Sequence, residues 1–229
     1  MEYKVAVIIP TLNEEKFIAR CLDSVIEQSY PFRDMDVMVV DGGSNDRTRE
    51  IVEEYGRKYI NIRFIHNPGR IQSIAFNIGV ENSDAPYIVR LDAHALYNKD
   101  YIEKCIAGLQ NDTQIGNVGG RCIILPFNDT LWANTNAILN YSRFGIGGSA
   151  FRVGVKPDFV DSVPFGAFPR TVFEKVGGMR EGLPRAEDNE YNSRIRKAGY
   201  KVFFDPEIVS SYYARPTLKA SCRQMYAIG

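Results

Sequence analysis

The sequence of 229 residues lacks both a long apolar run and a net charge. No stretch approaches the roughly 18 apolar residues that a membrane-spanning helix needs. Met1–Lys4 leads directly into a strand-like run, so we expect no secretory signal. The 28 basic and 28 acidic residues balance, which argues against a general nucleic-acid binder because such proteins are usually basic. These absences favour a globular protein of ordinary composition, with 45% apolar residues.

The sequence also lacks paired cysteines. Four cysteines are widely scattered and form no Cys-x-x-Cys pair: Cys21, Cys105, Cys122 and Cys222. Cys21 and Cys105 fall on apolar faces of predicted helices, a pattern typical of reduced, buried thiols. Reduced thiols favour a reducing compartment, so we expect a cytoplasmic protein.

Two common phosphate-binding loops are missing. No Gly-x-Gly-x-x-Gly follows the first predicted strand, and no Walker A sequence occurs anywhere in the chain. A nucleotide bound here would therefore be held by other groups.

The first 91 residues alternate short apolar runs with amphipathic segments. Apolar runs predict strands, which are Val5–Ile9, Val37–Val40, Ile62–Ile65 and Tyr87–Leu91. A segment with helical periodicity follows each of the first three strands, and Pro10 is expected to end the first one. This alternation indicates βαβ units and a parallel sheet. We predict an α/β fold with a Rossmann-like, mostly parallel central sheet flanked by helices.

The second half has a more mixed pattern. Strands are predicted at 119–124 and 201–206, and the segment 163–170 is expected to be too rich in proline and glycine for an inner strand. A glycine-rich segment at 144–154 suits either a mobile lid or a plain connection. We predict one domain, with a nucleotide-binding half (1–95), an acceptor-side α/β half (96–205) and a basic, aromatic tail (206–229).

Three polar clusters follow the predicted strands. They are Pro10-Thr11-Leu12-Asn13-Glu14, Asp41-Gly42-Gly43-Ser44 and Asp92-Ala93-His94. Ligands of open α/β sheets bind at the carboxyl ends of the strands, where all three clusters should meet. Each cluster alone also suits simple turn and helix-cap chemistry. A phosphate group near Asp92 would need a cation to offset the like charge.

Four motifs in this order resemble the family-2 glycosyltransferases, which have the GT-A fold. They are Val7–Glu15, Val39–Thr48, Leu91–His94 and Glu187–Tyr191 with Arg194. The resemblance is nearest to the succinoglycan-type exopolysaccharide glucosyltransferases, which also carry Asp-Ala-His where most relatives have Asp-x-Asp. A neutral imidazole at His94 supplies no negative charge, which favours Mn²⁺ over Mg²⁺.

The resemblance implies a role for each matching residue. The donor nucleotide would be bound by eight residues, with Asp41 on uracil: Pro10, Thr11, Asn13, Glu14, Asp41, Asp46, Arg70 and Asp92. Asp92 and His94 would hold a divalent cation, Mn²⁺ or Mg²⁺. Asp188 would be the catalytic base, and Glu187 and Arg194 would lie on the acceptor side.

The resemblance further implies an inverting transfer of a hexose, with glucose as the first candidate, from a UDP-sugar to a glycan or lipid-linked hydroxyl. The alternative is a GT-A domain that binds nucleotide-sugar or glycan without turnover. We expect a cytoplasmic protein, either free or peripherally associated with the cytoplasmic face of a membrane. The ending at Gly229 predicts a chain that stops before a membrane-associated region.

Overall fold

A computed structural model describes residues 3–126, 128–139, 154–183 and 186–213. In this structure strands and helices alternate along the first half and are mixed along the second. The strands are β1 (Val5–Thr11), β2 (Met35–Asp41), β3 (Ile62–His66), β4 (Tyr87–Arg90), β5 (Ala95–Tyr97), β6 (Ile115–Leu125), β7 (Asp158–Phe159), β8 (Ala167–Pro169) and β9 (Lys201–Tyr213). The helices are α1 (Ile18–Ile26), α2 (Thr48–Lys58), α3 (Gln72–Glu81), α4 (Tyr101–Asn111), α5 (Leu131–Leu139), α6 (Arg170–Val176) and α7 (Glu187–Lys197).

One sheet runs through the whole described structure. Its strand order is β3-β2-β1-β4-β8-β6-β9-β5, and β7 pairs with β9. The strands β3, β2, β1 and β4 are mutually parallel, as are β6 and β9. The strands β8, β5 and β7 pair antiparallel with their neighbours. The predicted fold class, an α/β fold with a mostly parallel central sheet flanked by helices, is confirmed.

Alternating residues of β1 build the two faces of the core. Val5, Val7 and Ile9 pack toward α1, α2 and α4, whereas Ala6 and Ile8 pack toward α3, α6 and α7. All five side chains are fully buried. Successive side chains on a strand point to opposite faces, so an unbroken apolar run is what a strand covered on both faces requires.

Pro10 does not end the first strand, contrary to expectation. It lies inside β1, opposite Val40 of β2. Ile8 directs its carbonyl oxygen toward β4, where the Leu91 amide binds it. Residues 8 and 10 use the same side of the strand, and β4 pairs with β1 only as far as Ile8. The missing N–H of Pro10 therefore interrupts no ladder bond.

The prediction for residues 163–170 was wrong. Ala167–Pro169 forms the short inner strand β8, which lies between β4 and β6. A Cβ atom on Gly166 would come within 2.2 Å of the Asn117 side chain on β6. Glycine at this position permits two segments of the chain to approach closely. Composition alone does not distinguish such a glycine from one in a loop, so the strand was not predicted.

The last strand is longer than predicted. β9 continues through Pro206 to Tyr213 and pairs with both β6 and β5, so residues 206–213 belong to the sheet and not to a tail. The predicted glycine-rich segment, apart from Gly154, and residues 214–229 lie outside the described residues. Among the helices that the structure describes, none is long and apolar enough to cross a bilayer.

Candidate active site

The loops that follow β1 and β2 are joined by hydrogen bonds. The Asn13 amide donates to Ser44 Oγ at 2.8 Å, and the Asn45 amide donates to Asn13 Oδ1 at 2.9 Å. The Glu14 amide donates to Thr48 Oγ1 at 2.8 Å. Asn13 and Ser44 were open to interpretation as helix caps, but they bond to the opposite loop instead. The first two polar clusters thus form one continuous surface.

Asp41 organises the second loop. Its Oδ2 accepts the amides of Gly43 and Ser44 at 2.9 and 2.8 Å, and its Oδ1 accepts the Ser44 hydroxyl. The residue is 2% exposed. Asp41 therefore stabilises a turn, which is the structural role that the sequence also allowed for this cluster. Oδ2 uses both lone pairs on the two amides, whereas Oδ1 accepts one hydroxyl, so Oδ1 can still accept a hydrogen bond from a ligand.

Asp46 links the same two loops from the other side. Its Oδ1 accepts the amide of Thr48 at 3.0 Å, and its Oδ2 accepts the amide of Glu15 at 3.1 Å. Partial burial raises the pKa of Asp46, but the hydrogen bonds from Thr48 and Glu15 outweigh it and lower the pKa overall. The charged form is thus the one that holds the first turn of α2.

The remaining nucleotide-side candidates border this surface. Pro10 and Thr11 are buried at the end of β1, and the Thr11 carbonyl accepts the Gly42 amide at 2.8 Å. Arg70 is exposed, and its backbone lies where a Cβ on Gly42 would meet it at 3.3 Å. The structure therefore places Arg70 directly against the Asp41 turn.

Asp92 and His94 follow the end of β4, as predicted, and lie in a turn that leads into the short strand β5, which was not predicted. His94 Nδ1 lies 3.0 Å from Glu14 Oε1. Because a carboxylate only accepts, the ring donates from Nδ1, and a metal ligand would be Nε2. The buried Tyr97 hydroxyl accepts the Asp92 amide at 2.7 Å. Glu14, expected on the nucleotide, is here the partner of His94.

A buried arginine joins Asp92 to the acidic motif of α7. Arg90 Nη2 lies 3.0 Å from Asp92 Oδ1 and 3.5 Å from Glu187 Oε1, and Nη1 donates to Asp188 Oδ1. The Arg90 side chain is 3% exposed and that of Asp188 is 31% exposed. One guanidinium therefore contacts both Asp188, the predicted base, and Asp92, a predicted metal ligand.

The charges of this cluster do not balance. One guanidinium faces three carboxylates, which leaves a formal charge of −2 when all are ionised. Burial lowers the pKa of Arg90, but Asp188, Asp92 and Glu187 raise it further than burial lowers it. Burial and the charge of Asp188 together raise the pKa of Glu187. An excess of buried negative charge suits a site that receives a cation.

Sequence reasoning missed Arg90, although a signal was present. Arginine is almost never fully buried without a partner, and Arg90 lies in a run that predicts a buried strand. Arg90 and Asp92 are also two residues apart, which places both on one face of an extended chain. A charged residue inside an apolar strand was the signal that could have identified Arg90 as part of the site.

Of the two acceptor-side candidates, only Glu187 joins the cluster. Arg194 lies two turns further along α7. It donates to Glu190 at 2.8 Å and to the carbonyls of Val176 and Gly178 at 2.9 and 2.8 Å. These bonds tie α7 to the segment after α6. The structure therefore does not bring Arg194 to Arg90.

Backbone strain is concentrated at the same edge. Four non-glycine residues of the described chain have a left-handed φ: Asn13 (57°), Arg70 (63°), Phe165 (48°) and Ala186 (61°). They belong to the loops after β1 and β3, the entry to β8 and the start of α7. Such conformations persist where the surrounding structure over-determines them, and they are common at functional sites.

The residues present fit a divalent cation shared with a ligand. Asp92 offers a carboxylate and His94 an imidazole, a donor pair that suits Mn²⁺. The Glu14 carboxylate on Nδ1 is the usual outer partner of a metal-bound histidine. The described residues hold no group of three or more metal-ligating side chains. A bound phosphate would have to complete the coordination.

Comparisons with known proteins identify the family of this chain. The sequence model described as Glycosyl transferase family 2 matches residues 6–177. A Methanococcus voltae protein, named dolichyl N-acetyl-alpha-D-glucosaminyl phosphate 3-beta-D-2,3-diacetamido-2,3-dideoxy-beta-D-glucuronosyltransferase, is 30% identical over 98% of this chain and 71% of its own. The succinoglycan biosynthesis protein ExoA of Rhizobium meliloti is 29% identical over 97% of this chain and 67% of its own.

Solved structures show the same fold. The mannosyltransferase PcManGT of Pyrobaculum calidifontis, in complex with GDP-Man and Mn²⁺, superposes with a TM-score of 0.74 at 23% identity over 97% of this chain. S. aureus TarS in complex with UDP superposes with a TM-score of 0.70 at 18% identity over 93% of this chain. This chain spans 60% and 61% of those two chains. The chain belongs to glycosyl transferase family 2 and has the GT-A fold.

Proposed function

We propose that this chain is the catalytic domain of an inverting glycosyltransferase that uses a UDP-sugar. The carrying observation is the Arg90 cluster, which unites Asp92 on the donor side with Asp188 on the acceptor side. A domain that only binds sugar does not require a partly exposed carboxylate at that place. Glucose is the first sugar to test.

The cross-bonded loops would hold the nucleotide. Asp41 would accept from the uracil ring, and Arg70 at the edge of that turn would meet a phosphate or the ribose. Pro10, Thr11, Asn13 and Asp46 would shape the pocket between the two loops. In this proposal Glu14 contributes through His94, and contact with the nucleotide is secondary.

Asp92 and His94 would hold a divalent cation, which when bound neutralises charge on the leaving diphosphate. Glu14 would fix the imidazole ring with Nε2 toward the site. The negative charge of the Arg90 cluster would keep the site attractive to cations even with one carboxylate ligand.

Asp188 would act as the general base. The acceptor oxygen forms a bond to the anomeric carbon, its proton passes to the Asp188 carboxylate, and the bond from that carbon to the diphosphate breaks with its electrons leaving on UDP. A base on the face opposite the leaving group gives inversion. General base catalysis is typically worth about 10²–10⁴-fold in rate.

The acceptor is proposed to be a glycan or a lipid-linked sugar. The Methanococcus relative is named for a dolichyl-linked acceptor, and the Rhizobium relative is named for succinoglycan biosynthesis. Glu187 would lie beside the acceptor, and Arg194 would stabilise that side by holding α7 against the segment after α6. We propose that the protein acts in the cytoplasm or at the cytoplasmic face of a membrane.

Ligand binding and turnover test the proposal together. Thermal shifts with UDP-, GDP- and dTDP-sugars, each with Mn²⁺, Mg²⁺ or EDTA, should single out a UDP-sugar with Mn²⁺. The same donor should release UDP slowly in the absence of acceptor. Stabilisation without any UDP release, with and without glycan acceptors, would instead establish a binding domain.

Asp188→Asn tests the base. We expect transfer to fall by about 10²–10⁴-fold, with the Kd for UDP and Mn²⁺ changed by less than about threefold, because the carboxamide keeps the shape of the side chain. Asp161→Asn is the control, since that carboxylate is 89% exposed and its ion pair in the described part of the chain is with Arg196. Activity retained by Asp188→Asn would remove Asp188 from the chemistry.

A further inference from the structure

We infer that Arg90 is a positioning residue that fixes the proposed base relative to the donor-side carboxylate. This inference rests on the proposed function and adds a residue that the motif comparison does not assign. Arg90 is the group that contacts both Asp92 and Asp188.

The arginine is itself held rigidly. Its amide donates to the carbonyl of Gly166 on the chain leading into β8 at 3.0 Å. Its Nη2 also lies 3.3 Å from Gln72 Oε1 at the start of α3. Two separate segments therefore fix the backbone and the guanidinium before any ligand arrives.

The geometry of the guanidinium sets the spacing of the two carboxylates. Nη1 serves Asp188, and Nη2 serves Asp92 and Glu187. These nitrogens belong to one planar group with fixed angles, so the acids on either side cannot move independently. A lysine would keep the charge but would present one nitrogen, which cannot hold both carboxylates in that arrangement.

Arg90 acts through Asp188 and not on the substrate. With 3% of its side chain exposed, the guanidinium cannot reach a sugar or an acceptor. Its Nε is buried and has no hydrogen-bond partner among the described residues. A purely structural arginine would be expected to satisfy all its donors, whereas this one is placed to face the carboxylates.

Arg90→Lys is the test, with Arg63→Lys as the matched control. Arg63 makes a two-point ion pair with the buried Asp36, Nε to Oδ1 at 2.9 Å and Nη2 to Oδ2 at 2.7 Å. This pair lies at the start of β2, at the opposite end of that strand from Asp41 and the candidate site. For Arg90→Lys we expect kcat to fall about 10- to 100-fold, because a displacement near 1 Å can cost that much. The Kd for UDP and Mn²⁺ should change by less than about threefold. Arg63→Lys should leave kcat unchanged.

Each other outcome overturns the inference. An unchanged kcat in folded Arg90→Lys would show that the two-nitrogen geometry of the guanidinium is not needed to position Asp188. A loss confined to metal-dependent UDP binding would show that Arg90 positions Asp92 and not Asp188. Parallel losses of kcat, UDP affinity and thermal stability reduce its role to neutralising buried acids.

Gln72→Glu decides the matter if Arg90→Lys does not fold. Gln72 is exposed, so a carboxylate is tolerated there. A Glu at this position would bind Nη2 more strongly than the carboxamide does, and would draw the guanidinium away from Asp188 on Nη1. We expect kcat to fall at least about fivefold with UDP affinity nearly unchanged; an unchanged kcat overturns the inference. Failure of the proposed function is distinguishable, because the parent protein would then turn over no nucleotide-sugar at all.

Discussion

Substitution of Glu14 should weaken Mn²⁺ binding through His94. The contact between Glu14 Oε1 and His94 Nδ1 is 3.0 Å long, and the two side chains are 19% and 28% exposed. Loss of an outer partner of a metal-bound histidine typically costs about 10–100-fold in metal affinity. This corresponds to about 1.4–2.8 kcal/mol, since 1.4 kcal/mol is a factor of ten. Because the pair is partly solvated, we expect the lower half of that range for Glu14→Ala.

A graded series separates charge from geometry. Glu14→Gln keeps an oxygen that can accept from Nδ1, so its loss of affinity should be smaller than that of Glu14→Ala. Glu15→Gln removes the same charge one residue away, where the side chain bonds to the Arg47 amide, and should have little effect. Mn²⁺ titration in the presence of UDP, followed by electron paramagnetic resonance or calorimetry, measures each Kd.

Two results would refute this reasoning. Unchanged Mn²⁺ affinity in Glu14→Ala would show that the contact with His94 does not orient the ring. Equal weakening of UDP binding in EDTA and in Mn²⁺ would return Glu14 to the nucleotide-contact role that the family resemblance implies.

Two further predictions concern stability. Gly166→Ala should destabilise the fold by about 1–3 kcal/mol, since its Cβ would lie 2.2 Å from Asn117 Oδ1; thermal unfolding measures this, and Gly182→Ala, with open space around its Cβ, is the control. Glu187→Gln should raise the melting temperature at pH 7, because burial and Asp188 raise the pKa of this carboxyl in the folded state, so ionising it costs stability. That gain should shrink as pH falls toward 4, where the native carboxyl is protonated; a gain independent of pH would contradict it.

The nucleotide half of the fold was readable from the sequence because its signals are local. Buried parallel strands give unbroken apolar runs, and the helices between them give clear periodicity. The polar clusters after β1, β2 and β4 follow from the rule that places ligands at strand ends. The first four strands, and the meeting of the polar clusters at their carboxyl ends, could therefore be predicted without any knowledge of contacts.

The remaining features depend on contacts that local patterns do not carry. β8 is three residues long, and it lies between β4 and β6 where Gly166 fits closely against Asn117. The bond between Glu14 and His94 spans 80 positions, and the bond between Arg90 and Asp188 spans 98. Residue type gave the members of the candidate site except Arg90, but the pairing among them required the fold.

The hydrogen bonds between the loops after β1 and β2 bear on the entropy of binding. Amides of Asn13, Glu14 and Asn45 already have partners across a separation of more than thirty residues. A ligand that lands on loops already ordered loses less free energy to immobilising them. Hydrogen exchange would therefore find these amides protected in the ligand-free protein, with a small further change when a nucleotide binds. The donor surface is in this sense a rigid template, and its selectivity is fixed when the chain folds.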